Sequence, residues 1–167
     1  MRKIFLHKKT RAQVGIEYMM IIGFVTFAIM TVLALAIFYS DKTKDRMRLN
    51  YVDNFAIQLV NSAESVFFSG EPSKSTISLY LPEGVEIIEI KCSDGNLPSI
   101  GPPLTLCGSG LAYYLIITTH TSSGTNVKSY ESKVPIIGSI NIGEGIKTLT
   151  LEAKSESGSN YLLIINN

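Results

Sequence analysis

Hydrophobic and polar positions divide the chain into three stretches of different period. From Tyr18 to Ser40 no charged residue occurs, and these residues, about 23 of them at 1.5 Å rise, reach across a hydrocarbon core of roughly 30 Å. Next, Leu49, Val52, Phe55, Ile57, Leu59, Val60, Ala63, Val66 and Phe67 recur near three-and-four spacing, with Asp53, Asn54, Asn61 and Glu64 between them. That spacing predicts a helix with one apolar face. No proline interrupts Gln13 to Glu71, and Gly70 followed by Pro72 is a stop signal. A single helix of about 55 residues, roughly 80 Å long, is therefore expected, apolar all round over residues 13–40 and one-sided over residues 41–70.

After Pro72 the period changes to two. "STISLYLPEGVEIIEIKC" alternates Ile77, Leu79 and Leu81, turns at "PEG", then alternates Ile88, Ile90 and Cys92, which predicts a hairpin. "AYYLIITTHT" is nearly continuous in apolar and β-branched residues, as a central strand would be. "NVKSYESKV" and "IIGSINI" follow, and "KTLTLEAK", "SESGSN" and "YLLIIN" form a closing strand, turn and strand. "SDGNLPSIGPPLTL", between the two cysteines, is rich in turn formers and is expected as a loop with a short strand. All six prolines and eleven of the thirteen glycines lie at or after Gly70, consistent with a switch from helix to strands and turns there. The expected class is α+β: a long N-terminal helix whose second half packs on an antiparallel β-sheet head, residues 71–167.

Charge adds a direction. The net charge is +1, but Arg2, Lys3, Lys8, Lys9 and Arg11 all precede residue 13 with no acid among them, and the remainder carries ten basic and fourteen acidic residues. No basic stripe remains to neutralise nucleic acid. A basic end before an apolar span stays in the cytoplasm, which puts the residues after Ser40 outside the cell. The two cysteines, Cys92 and Cys107, fall in that external part, where an even count favours a disulfide; two buried thiols are the alternative.

Three readings compete for the N-terminus. A secretory signal would be cleaved after Ala34-Leu35-Ala36, yet the apolar run continues through Ile37, Phe38 and Tyr39. A single-span anchor holding a monomeric binding domain explains the length and the flanking charge, and leaves Glu17 an interfacial residue within reach of the headgroups. The third turns on "RAQVGIEYMMIIGF": a basic leader, the small Ala12, then Gln13, with Glu17 fifth counted from Gln13, followed by Tyr18 and an uninterrupted apolar run.

Over residues 8–40 this closely resembles the class III signal peptide of archaeal type IV pilin-like proteins, which a prepilin peptidase cuts on the cytoplasmic side just before a glutamine. The resemblance implies a cut between Ala12 and Gln13, loss of leader 1–12, and retention of helix 13–40, first as a membrane span and then as the core of a surface filament. It also implies a type IV pilin-like fold, and as partners the peptidase, the pilus assembly machinery and other pilin subunits, with adhesion as the use. Gly15 stands where many members carry serine, and Ala12 where bacterial prepilins usually carry glycine; both departures bear on cleavage efficiency. Bacterial pilins often carry a proline in this helix, and its absence here fits an archaeal chain. In such an assembly Glu17 lies about one turn from the new N-terminus, so a neighbouring helix displaced by a similar distance brings its amino group to this carboxylate and sets the register.

Catalytic constellations are sparse. The two histidines are His7, in the leader, and His120, in an expected strand, and neither assembles a triad or a metal cluster. "CGSG" at Cys107 to Gly110 lacks the basic helix of a phosphate cradle, and Glu83, Glu86 and Glu89 read as a solvated face. No N-x-S/T sequence occurs. A structural subunit without cofactor or metal is the expectation, and an enzyme is not.

Overall fold

The computed structural model describes residues 7–98, 106–108, 111–156 and 158–166, with side chains from Gly15 onward. One helix, α1, runs His7–Phe68, 62 residues. It starts at His7, within the basic N-terminal segment, rather than at Gln13, because Lys8 to Ala12 contain no glycine or proline to stop it. It ends where expected: the Gly70 N–H donates to the Phe67 carbonyl at 3.0 Å, and Gly70 takes φ 77°, the left-handed conformation that closes helices.

The chain forms two compact units, Met1–Thr43 and Lys44–Asn167. In the first, the described part is helix alone. The second combines the C-terminal part of α1 with seven strands: β1 Lys74–Leu81, β2 Val85–Cys92, β3 Tyr113–Thr121, β4 Gly124–Ser132, β5 Ile136–Gly138, β6 Gly145–Glu156 and β7 Ser159–Asn166. They make a four-stranded sheet in the order β1-β6-β7-β5 and a three-stranded sheet in the order β2-β3-β4. The fold is thus α+β with a long apolar helix, and β3 is the central strand of its sheet, as its composition indicates.

Two expectations are corrected. β1 and β2 do not form a hairpin: β1 pairs with β6 and β2 with β3, so the "PEG" turn carries the chain from one sheet to the other. The head is also not wholly antiparallel, since β5 runs parallel to β7. That pairing brings backbones close at Gly138, where φ is 142° and an added Cβ would stand 2.6 Å from the Ile164 carbonyl oxygen. Only glycine fits there.

A single apolar core joins the helix to both sheets. Val52, Phe55, Ala56, Leu59 and Ala63 of α1 pack with Leu81, Leu149, Leu151 and Leu162 of the larger sheet and with Leu115 and Ile117 of the smaller one. The stripe differs from the expected one at one place: Ile57 is 49 % exposed and Ala56 is fully buried instead. Cys92 and Cys107 are bonded, with Cα atoms 5.5 Å apart. Closing a loop of 15 residues stabilises the head by about 3 kcal/mol in the chain-entropy model. The short strand expected between them falls largely on residues 99–105, outside the described residues.

Candidate assembly helix and the anchorage of the head

The N-terminal unit offers surface and little else. Within α1 the most apolar window has a mean hydropathy of 2.7, with none of it buried, so the segment is long and apolar enough to cross a membrane. Met19, Met20, Ile21, Ile22, Phe24 and Val25 are all exposed, and at 100° per residue they project around the whole helix. The two threonines of the apolar run are satisfied internally: Thr26 donates to the Ile22 carbonyl at 2.8 Å and Thr31 to that of Phe27 at 2.9 Å. Neither hydroxyl is left seeking water in the middle of the run, which is what a hydrocarbon environment requires.

The two ends of this run carry aromatic residues. Tyr18 and Tyr39 lie about 31 Å apart at 1.5 Å per residue, close to the thickness of a hydrocarbon core. Lys42 sets its ammonium over the Phe38 ring, 4.6 Å from the centroid, and Phe38 meets Tyr39 edge to face. Such aromatic belts, with a cation just beyond, belong at membrane interfaces. A charge count alone overlooks this signal, although the spacing of the tyrosines carries it.

Glu17 is exposed and, among the described residues, makes no hydrogen bond or ion pair. Ala12 and Gln13 belong to α1, but their side chains lie outside the described residues. Nothing within 4 Å of Gly15 or Gly23 requires a missing Cβ. In a helix interior each costs roughly 1 kcal/mol relative to alanine, and no contact among the described residues offsets it.

In the head, polar residues of α1 tie the helix to the strands and turns. Asp45, only 8 % exposed, accepts the Ser122 N–H at 3.0 Å and the Ser122 hydroxyl, and so holds the β3–β4 turn. Arg48, 3.6 Å from Asp45, also bonds Glu83 in the turn after β1. Five residues further on, Asp53 accepts both a Lys128 ammonium, at 2.7 and 2.8 Å, and the Tyr130 hydroxyl, both from β4. Glu64 accepts the Lys133 N–H at 3.1 Å. Asp53 and Glu64, read from sequence as the wet side of the helix, are therefore its attachments to the smaller sheet. Asp45 carries no sequence signal, since its partner is 77 residues away.

The Asp53 site has a pH consequence. Burial works to raise its carboxyl, but the Lys128 and Tyr130 hydrogen bonds and the Lys128 charge outweigh it and hold the group below the ordinary 3.8. Burial and the neighbouring carboxylate push the Tyr130 phenol well above its usual range. A carboxylate depressed in the folded state contributes stability that is complete above its unfolded value and lost as pH falls through the folded one. Wild type should therefore be more stable than Asp53→Asn near neutrality, and the gap in melting temperature should shrink as pH drops below 3.8. A gap that stays constant from neutral pH to pH about 2 would remove the ion pair from the account.

Elsewhere Glu83, Glu86 and Glu89 keep solvent-exposed side chains, as expected, while Glu83 also bonds Arg48 and Glu89 pairs with Lys91 at 2.7 Å. A cleft of about 560 Å³ beside the disulfide is lined by Cys107, Tyr113, Glu131, Lys133, Ser159 and Asn160, among others. Among the described residues no group of three or more His, Cys, Asp or Glu gathers to hold a metal. Comparison with protein-family models, with characterised proteins and with solved structures finds no match for this chain.

Proposed function

We propose that this protein is a structural subunit of an archaeal type IV pilus-like surface filament, inserted with its N-terminus inside, trimmed before Gln13 and assembled through its apolar helix. One observation carries this: a helix exposed and apolar on every side over its first part forms the core of a head over its second part. The first part needs partners all round, which lipid supplies before assembly and other copies supply afterwards. Gly15 and Gly23, which nothing among the described residues requires, suit close approach of a second helix. The compound motif around Gln13 and Glu17 supplies the processing step, and the disulfide-bonded head would coat the filament and serve adhesion.

The mass of the N-terminus, measured on protein taken from its native membrane, tests the processing step. A start at Gln13 is expected. A start at Ile37 would mean conventional secretion, and an intact Met1 would leave a plain single-span anchor for an external binding domain.

A further inference from the structure

The outer faces of the head carry two separate apolar rows. On the larger sheet Tyr80 and Ile146 are register partners and face away from the core, because Leu79 and Leu81 on either side of Tyr80 are buried. Tyr51 of α1 joins them, its ring 5.6 Å from that of Tyr80. On the smaller sheet Ile87, Thr118 and Val127 are register partners across β2, β3 and β4. They too face outward, since Ile117 and Thr119 beside Thr118 are buried and Lys128 beside Val127 turns to Asp53. Ile146 is 74 % exposed and Val127 62 %. Tyr80 and Ile87 flank the same turn, so both rows stand at one end of the head. Further along each sheet the outer faces become charged, with Lys74 opposite Glu152 and with Lys91 and Glu131 either side of Tyr114.

Resting on the filament reading above, we propose that these rows are the two halves of one head-to-head contact: the Tyr51–Tyr80–Ile146 row of one copy packs on the Ile87–Thr118–Val127 row of the next. Side-by-side helices stand 8–10 Å apart, less than the width of a head made of a helix and two sheets. Copies joined through residues 13–40 therefore bring head against head. Two different rows, on different sheets and at the same level, make a heterologous contact: each copy offers one row to the copy before it and the other to the copy after. A single self-complementary patch would close into a dimer, whereas this arrangement propagates. Neither row contains a charge, so the contact leaves none unpaired.

Cysteine cross-linking of the full-length chain tests it. Because Cys92 and Cys107 are bonded, introduced thiols are the reactive ones. A chain carrying both Ile146→Cys and Val127→Cys should give a ladder of oligomers with a short bis-maleimide, while a mixture of the two single variants should give dimers only. Val127→Asp, at an exposed position that leaves the fold alone, should lower the sedimentable filament by about tenfold or more. Dimers from Ile146→Cys alone, with no ladder from the double variant, would mean a self-complementary contact and overturn the proposal. Quenching of a fluorophore at residue 146 by brominated lipid, with no cross-links, would overturn it in favour of the membrane surface. Wild-type filaments that sediment while the double variant within them does not cross-link would sink this contact and leave the filament standing. Wild type that starts at Gln13 yet never sediments would sink the filament instead, and a ladder in its membrane fraction would still support the contact.

Discussion

On the filament reading, Glu17→Ala should leave the N-terminus at Gln13 and abolish filaments. The carboxylate stands at the edge of a surface that is otherwise apolar, and among the described residues nothing pairs with it. When helices pack together, a carboxylate near one N-terminus and an amino group at the next leave water as a pair. Removing one partner strands the other, which costs roughly 3–5 kcal/mol, or a factor of about 100 or more in association per contact. In the proposed filament every subunit would repeat that contact, so its growth should fail altogether. Cleavage should be spared, since the proposed cut between Ala12 and Gln13 lies about one turn away from Glu17. Electron microscopy together with N-terminal mass on the same preparation separates the two effects. Unchanged filaments would make Glu17 an interfacial residue held in the headgroups, as a plain anchor requires.

The parts of the fold legible in the sequence were those set by local period. The apolar run, the one-sided stripe, the stop at Gly70 and the central strand β3 all follow from spacing along a few consecutive turns or residues. What failed depended on partners far away in the chain. Between Leu81 and Val85 the "PEG" turn looks the same whether its strands pair or diverge, and the decision rests with β6 and β3, which offer them better registers. The parallel pairing of β5 and β7 and the Asp45–Ser122 attachment are equally non-local. At the candidate assembly site the motif supplies Ala12, Gln13 and Glu17. The outer rows of the head stayed hidden because their members are scattered over five strands and a helix.

The clearest test of how α1 is set into the head compares two neighbouring side chains. Three-and-four spacing admits both Phe55 and Ile57 to the apolar stripe, but they differ by two helical steps, about 200° around the axis. Phe55 sits at 2 % exposure among side chains from both sheets, whereas Ile57 is turned outward and Ala56 takes the inner position. Phe55→Ala should therefore destabilise the head by about 3–5 kcal/mol, the sum of lost burial and the cavity left behind. Ile57→Ala should stay within about 0.5 kcal/mol of wild type, as exposed substitutions do. Denaturant midpoints of the two full-length variants in detergent, read by a probe on the head, give the comparison directly. Equal losses would mean that the helix is rotated from the position described, with Ile57 in the core. In that case Asp53 would turn away from Lys128 and Tyr130 as well, and the acid-side pH dependence that depends on them would vanish along with the attachment.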